Sequence, residues 1–538
     1  MKKEITKKTM CLAVLLLLNF TSFFAQSGAP STLPVNQNEA DFFTDNSVNV
    51  PVARKKTLVN NGAGDDSATL NNLITSLSNQ GGGVITIPSG TWLFGNIKLL
   101  SNVHLIFNSN AIVKPKLASS GDSSIFEIGY TGVKASNVSI RCTSGQFKID
   151  LSTVPLNSRI LPFNVKEVEN FMISGCYITD RWTVHSTVNL GLSKRNNVWA
   201  GAKKGLVKNI TVINAHGGYG AVQVRVGEKI LFKNIVSKGG GATLRIETDG
   251  RETSGNQAPQ TVAKVSEISA YNIYCENGNS AVMIQPWGAK NGWFDIQKVR
   301  AVSCMSVVRI NRAFVELNAP SIGNFDPDSR ITDIASSYGT NAQVKDGDIP
   351  FVPCHLRTNP NILRTTSLPG QDRWFQGPSL APLWYAASST TGQDPRYYSI
   401  KIPTVENLQQ NATNFPANTP IIRRWNDRVE NCSSTNRPGI SLNTKEESLY
   451  DSDSDKNYSI ELFPNPVKDD YVTIQLNGIE DETVTYYTVF NTTGTLVGRQ
   501  KSFSGYKGII NISEFSQGLY FIKIENYKGN SMLKLVKH

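Results

Sequence analysis

The sequence predicts an all-β protein: a solenoid of stacked β coils closed at its start by a helix, then a small separate β module at the C-terminus. Three observations predict it. Short runs of alternating apolar and polar residues recur every 20 to 40 residues or so, between clusters of Gly, Asn and Ser. Amphipathic helices are scarce, and the clearest one stands ahead of the first strand. A polar, acidic stretch at 433–458 has no apolar period and separates the repeats from a last block of strands. In a solenoid each coil buries its apolar side against its neighbours, so alternation persists without a helical period. A β-sandwich also gives many short strands. The leading helix and the repeated Asn-Ile and Asn-Val pairs favour the solenoid.

The elements follow in order. Lys2, Lys3, Lys7 and Lys8 precede an apolar run at 10–18, and small and polar residues lead to Ala25 and Gln26. This pattern predicts a secretory signal peptide over 1–25, whose apolar core is too short to span a bilayer stably. Cys11 stands at the start of that core instead of closing it, which argues against lipid anchoring. An N-terminal extension occupies 26–55. After a turn-rich opening at 57–66, Asp66 or Ser67 is expected to cap a helix in which Leu70, Leu73, Ile74 and Leu77 recur at helical spacing. Gly81, Gly82 and Gly83 end it, and strands are expected at 84–88, 93–97 and 103–107. The helix would cover the open end of the first coil, which otherwise presents unpaired strand edges. This opening resembles the capped start of a right-handed parallel β-helix, as found in pectinase-like proteins.

Further strands are expected at 137–140, 171–174, 209–213, 221–226, 230–235, 243–247, 281–284, 293–299 and 307–310, making 56–432 a β-helix domain. Residues 316–400 break the rhythm. They are rich in Pro, Asp, Ser and aromatics (Trp374, Phe375, Trp384, Tyr385, Tyr397, Tyr398) and read as inserted loops or a lid beside a groove. The aromatics either stack on sugar rings at the rim or form small apolar clusters under long loops. Residues 398–402 resume the solenoid. The acidic linker 433–458 includes alternating Asp451, Asp453 and Asp455, which imitate a calcium loop but lack the Gly and closing Glu of an EF-hand. A structural calcium therefore stays open, while no cofactor is required for the chemistry proposed below. Strands at 472–476, 484–490 and 518–524 then build the last module. Residues 463–466, 491–494 and 518–523 resemble the C-terminal sorting domain of the type IX secretion system of Bacteroidetes-type bacteria. That resemblance implies a small β-sandwich over 459–538, passage through the outer membrane by the type IX machinery, and release or surface attachment.

Of the chain's net charge of +11, residues 26–432 carry +10. A basic exported domain points to a polyanionic partner, and acidic or sulfated polysaccharide fits better than nucleic acid, for which no recognition helix is present. A merely soluble basic surface is the bland alternative. Six cysteines remain after the signal (Cys142, Cys176, Cys275, Cys304, Cys354 and Cys432), enough for three disulfides that sequence cannot pair, or for buried free thiols. With five histidines and no CxxC spacing, a multi-histidine metal centre is not expected. A monomer is expected.

The stretch 241–250 carries the candidate chemistry. Leu244 and Ile246 alternate with Thr243, Arg245, Glu247 and Asp249, so on a strand Glu247 and Asp249 share a face with Arg245 beside them. Two residues of rise separate the carboxylates by roughly 6.6 Å at the backbone, within the ~6.5–9.5 Å of an inverting glycosidase. If the coils stack, Val222, Val224 and Val226 point inward. Gln223, Arg225, Arg245, Glu247, Asp249, Gln285, Arg309 and Asn311 then line one outer, solvent-facing groove. Arginine grips sulfate or carboxylate with two donors at once, and paired carboxylates supply a proton donor and a base. Exposed salt-bridge ladders, each worth about 0–1 kcal/mol, are the structural alternative. His185 and His216 either line the groove or serve structure.

Residues 218–225 and 243–250 resemble the iota-carrageenase family of glycoside hydrolases, and the similarity spans roughly 55–430. The resemblance implies a β-helical enzyme that cleaves β-1,4 linkages of a sulfated red-algal galactan with inversion. It implies Glu247 as general acid, Asp249 as the base that activates water, and Gln223 near that water. Arg225, Arg245, Gln285, Arg309 and Asn311 would contact the substrate. The family's histidine in the coil after the pair has no match: none lies between His216 and His355, and Gln285 stands in about that place. Glu247 must hold its proton while Asp249 stays ionised. Close carboxylates push one pKa up, and Arg245 is expected to keep the other low. Affinity resting on sulfate contacts should weaken in salt. A polysaccharide lyase or pectinase-like hydrolase on an acidic polysaccharide, and a non-catalytic glycan-binding solenoid, remain the competing readings.

Overall fold

Short parallel strands separated by tight corners can only stack, and they do so throughout 55–423. The computed structural model describes residues 34–538 except 61–63, 120, 249–261, 314–322, 387–397, 405–406, 409–411, 414, 416–419, 424–458, 478–483, 494, 505–506 and 527–528. One face of the solenoid is a ten-stranded parallel sheet running from Ile97–Leu99 through Val188–Leu190, Gly220–Val224, Ala242–Glu247, Ser280–Gln285 and Ser306–Ile310 to Leu383–Tyr385 and Ile421–Arg423. The other two faces belong to a fourteen-stranded parallel sheet. In the first coils the third face is separate strands, Gly90–Phe94, Ala111–Pro115 and Phe147–Asp150. In later coils the second and third faces fuse into long strands such as Val168–Thr179 and Ala202–Ala215.

Those long strands turn their corners at residues with left-handed backbone: Asn209 (φ 54°), Asn234 (φ 56°) and Asn272 (φ 62°) stack at one corner, Asn137 and Asn170 at another. Asparagine visits this region more readily than other side chains with a Cβ. Its amide also bonds to the asparagine of the next coil, Nδ2 of Asn234 on Oδ1 of Asn209 (2.9 Å) and Nδ2 of Asn272 on Oδ1 of Asn234 (2.8 Å). This is the physical origin of the Asn-Ile and Asn-Val repeats. Inside, phenylalanines stack along the axis, with ring centroids of Phe107 and Phe147 4.1 Å apart and those of Phe126 and Phe163 5.3 Å apart.

The expected helix spans Ser67–Asn79 and buries Leu70, Ile74 and Leu77 over the first coil. Its capping differs from expectation. Asp66 occupies the N-cap position but its side chain makes no cap bond. Asp65 Oδ1 accepts the Ser67 N–H instead (3.0 Å), and the Ser67 hydroxyl accepts Gly95 N–H (2.9 Å), so the polar groups tie the helix to the coils. At the other end Gly82, at φ 110°, donates its N–H to Leu77 O (2.8 Å). The N-terminal extension lies across the second face, where Phe42 and Phe43 cluster with Met172, Leu206 and Leu231.

Within 316–400 the strands Arg330–Ser337 and Leu383–Tyr385 pair as ordinary coil strands with Phe294–Val302 and Ser306–Ile310. The inserted part is a three-stranded antiparallel sheet, Ala342–Lys345, Ser367–Leu368 and Gln371–Gly377, with a 3-10 turn at Asp346–Phe351. Of the two roles open to its aromatics the structure shows burial rather than rim stacking: Phe375 and Trp384 join Val344, Ile349, Phe351 and Leu356 in a core under the insert, Tyr398 joins the main core, and Trp374 is buried too. Tyr385 is half-buried against the main core, and Tyr397 lies outside the described residues. Lys401 bridges to Arg330 in parallel, extending the coil.

At the C-terminus two antiparallel sheets, of three and four strands, enclose Val472, Ile474, Val489, Ile510, Ile522, Ile524 and Leu535. Cys142, Cys176, Cys275 and Cys304 are free thiols, and burial holds those of Cys176 and Cys304 well above the ordinary range. Cys354 is disulfide-bonded. The signal peptide and the acidic run at 451–455 lie outside the described residues. Among the described residues no helix is long and apolar enough to cross a membrane, and no cluster of His, Cys, Asp or Glu could hold a metal ion.

Candidate active site

Period-two alternation decides which side chains leave the solenoid. On the ten-stranded face Val222, Val224, Leu244, Ile246, Val282 and Ile284 all fill the interior, so the residues between them project outward. Coil-to-coil register places Gln223 beside Arg245, Arg245 beside Met283, Met283 beside Arg309, and Arg309 beside Trp384. In the adjacent column Glu247 lies beside Gln285. The sequence-based set therefore shares one outer face, with one exception of scope: Asp249 lies outside the described residues, and the strand that carries Glu247 ends there.

The face is not the open surface expected. Glu247 is 5 % exposed, Gln223 4 % and Arg245 8 %, because outward side chains of coils about 4.8 Å apart pack on one another. Glu247 Oε2 accepts a hydrogen bond from Gln223 Nε2 (2.9 Å) and lies 2.6 Å from Arg245 Nε. A buried carboxylate is tolerated on such terms, paired with a charge and hydrogen-bonded. Arg245 places its Nε on Glu247 and donates from Nη1 to Gly218 O, while Asp249, which it was expected to serve, lies outside the described residues. Arg225, which follows the strand Gly220–Val224, buries its Nε without a hydrogen-bond partner in the protein. Gln285 Nε2 reaches Arg312 O at 3.4 Å.

Arg309 and Asn311 also bond within the protein. Arg309 donates from Nη1 to Asp348 Oδ2 (2.5 Å) and from Nε to Asn311 Oδ1 (3.1 Å), and its guanidinium lies 5.1 Å from the ring centre of Trp384. Asp348 belongs to the insert, so Arg309 anchors the insert to the coils. No spacing in the sequence pointed to Asp348. Its 3-10 turn is short and its partner lies 39 residues earlier.

Ahead of the strands on this face sits a histidine cluster. His185 packs edge-on against Tyr219 and His216 is tilted against the same ring, with centroids 5.7 and 5.5 Å apart. His185 Nε2 is 3.3 Å from Asp122 Oδ1, which also accepts Arg159 Nε at 2.5 Å. Burial raises Asp122, but the contacts with His185 and Arg159 outweigh it and hold the carboxyl well below its ordinary range. Burial pulls His185 down against the same carboxylate. Both histidines thus have structural partners beside the groove.

Asp180 leads into the turn that carries His185. Its Oδ1 accepts the N–H groups of Arg181 (2.7 Å) and Thr183 (3.2 Å), yet burial dominates and pushes its pKa up from 3.8 to about 7. A carboxyl that holds its proton more tightly when folded stabilises the fold less as pH rises from about 4 to about 7. Asp180→Asn keeps the acceptor oxygen and removes the titration. The variant is expected to match the wild type near pH 4 and to exceed it by up to about 4 kcal/mol at pH 8. Thermal melts across pH check this, and parallel pH curves for the two proteins would refute it.

Comparison with known proteins adds the family. A secretion system C-terminal sorting domain matches residues 461–538. An iota-carrageenase of Alteromonas macleodii is 27 % identical over 453 residues, 72 % of this chain and 88 % of that protein. An iota-carrageenase of Zobellia galactanivorans is 35 % identical over 290 residues, 52 % of this chain and 57 % of that one. A solved iota-carrageenase complexed to iota-carrageenan fragments superposes with a TM-score of 0.63 at 26 % identity, over 75 % of this chain and 97 % of its own. The chain is an iota-carrageenase homologue, a secreted or cell-surface glycoside hydrolase that ends in a type IX sorting domain.

Proposed function

We propose that this carrageenan-degrading hydrolase cleaves β-1,4 linkages of iota-carrageenan, a sulfated red-algal galactan, within the chain and with inversion, using Glu247 as general acid and Asp249 as general base. The observation that carries the reading is the buried Glu247 carboxyl on the outer face, held by Gln223 and Arg245. Two donors on one oxygen leave the rest of the group to face a bound glycosidic oxygen. In the proposed step Glu247 gives its proton to that oxygen as the bond to the anomeric carbon breaks. Water attacks the opposite side of the sugar and its proton passes to Asp249. Water is the only co-reactant, and exchange with solvent restores both groups. Gln223 fixes the Glu247 oxygen that does not transfer the proton. Arg225, with a buried Nε lacking a protein partner, supplies a donor for a sulfate of a neighbouring sugar.

The deciding experiment incubates the protein with iota-, kappa- and lambda-carrageenan, agar and pectin and measures reducing ends, with proton NMR of the first product formed. Release is expected from iota-carrageenan, with an α-anomer appearing first and no ultraviolet absorbance from a new double bond. Activity confined to pectin would overturn the reading, as would ultraviolet-absorbing products, which mark a lyase. No release from any substrate would favour the binding solenoid.

A further inference from the structure

The inserted sheet does more than cover the coils: it reaches the candidate acid through a short chain of contacts. Gln371, on the strand Gln371–Gly377, accepts the Gly217 N–H at its Oε1 (2.5 Å) across 154 residues of sequence. Trp374, three residues further along the same strand, packs on the same glycine so closely that a Cβ at 217 would lie 2.4 Å from its ring. The next residue, Gly218, donates its N–H to His216 Nδ1 (2.9 Å) and accepts Arg245 Nη1 at its carbonyl. Arg245 in turn holds Glu247. The turn at 217–218 is therefore clamped between the insert and the coils, and its carbonyl direction sets where the guanidinium lies.

The polar accounting of Gln371 points the same way. The residue is buried, and its Nε2 has no hydrogen-bond partner in the protein. An unsatisfied buried amide donor costs about 1–3 kcal/mol. An apolar side chain of the same shape would remove that cost but leave the buried Gly217 N–H without its acceptor, so the two changes offset and stability alone does not select a glutamine at this place.

We infer that Gln371 is a positioning residue for the hydrolytic site, acting through Gly217, Gly218 and Arg245 to fix the orientation of Glu247. The inference rests on the reading of Glu247 as the acid. Gln371→Met keeps the volume and removes the acceptor, whereas Gln371→Glu keeps an acceptor oxygen. Misplacing a catalytic group by about 1 Å costs up to about 100-fold in rate. Gln371→Met is therefore expected to lower kcat on iota-carrageenan roughly 10- to 100-fold, with KM nearly unchanged and a modest fall in the thermal midpoint from the Gly217 N–H left without its acceptor. Gln371→Glu should keep most of the wild-type kcat. In an Arg245→Met background Gln371→Met should cause little further loss, because the two share one route to Glu247.

An undiminished kcat in Gln371→Met would overturn the inference. So would an equal loss in Gln371→Glu, or a loss in the Arg245→Met background as large as in the wild type. A fall in kcat that disappears when each variant is assayed well below its own thermal midpoint would assign Gln371 to structure alone. If Gln371→Met does not fold, Gln371→Glu with and without Arg245→Met decides the matter by the same criteria. Failure of the site reading itself is distinguishable, since Glu247→Gln would then turn over like the wild type.

Discussion

Glu247→Gln is expected to lower kcat on iota-carrageenan by roughly 100- to 10,000-fold, the range attributable to a positioned general acid. The substitution is nearly isosteric, and its amide oxygen still accepts from Gln223, so the outer face should keep its packing. What is lost is the proton. Binding of the polysaccharide, measured by affinity electrophoresis, should stay within a few fold of wild type. The loss should also depend on the leaving group. A synthetic glycoside with an acidic phenol needs no protonation as it departs, so Glu247→Gln should recover most of its activity on that substrate. Asp249→Asn should not recover, because water must still be deprotonated. Full turnover by Glu247→Gln on the natural polymer would remove the carboxyl from the mechanism. Equal rescue of both variants would reverse or merge their roles.

Asp348→Ala is expected to be the most damaging single change outside the chemistry, costing about 3–5 kcal/mol of stability. Asp348 is 2 % exposed and holds Arg309 by Nη1 at 2.5 Å and Nη2 at 3.3 Å. Removing the carboxylate takes the anionic partner from a mostly buried guanidinium between the coils and the insert and leaves it Asn311 and the Trp384 ring. Taking out both charges is a different matter. Arg309→Met with Asp348→Leu replaces the pair by apolar groups of similar size beside Trp384, Phe351 and Val344, and should recover most of the loss. Urea unfolding followed by tryptophan fluorescence suits the test, since Trp374 and Trp384 lie at this junction. A double variant as unstable as Asp348→Ala would show that the pair is not the source of the effect. A loss below about 1 kcal/mol in the single variant would show that the pair behaves as an exposed one.

Much of this molecule was legible in its residues. The strand 103–107 falls where alternation placed it, and Glu247, Arg245 and Gln223 project from the face that Leu244, Ile246 and Val222 leave free. The capping helix ends at the glycines expected, and the last module follows its predicted strands closely. These successes share a cause. Pleat, helical period and corner residues are properties of a few neighbouring residues, governed by the φ and ψ each can adopt, so one chain segment carries the information.

Other features had no local signature. The bond from Arg309 to Asp348 was not foreseen, and of the two roles open to the aromatics of 316–400 the structure shows burial, Phe375 and Trp384 in the insert's core and Tyr398 in the main one. The contact of Arg245 with Gly218 had no signal in the sequence, and nothing near Gln371 announced Gly217. From residues alone came the architecture, the sorting domain and the outward placement of Glu247. Only the folded chain decided which groups those outward residues touch, because a guanidinium or a carboxylate takes whatever complementary partner the packing of distant segments brings within about 3 Å.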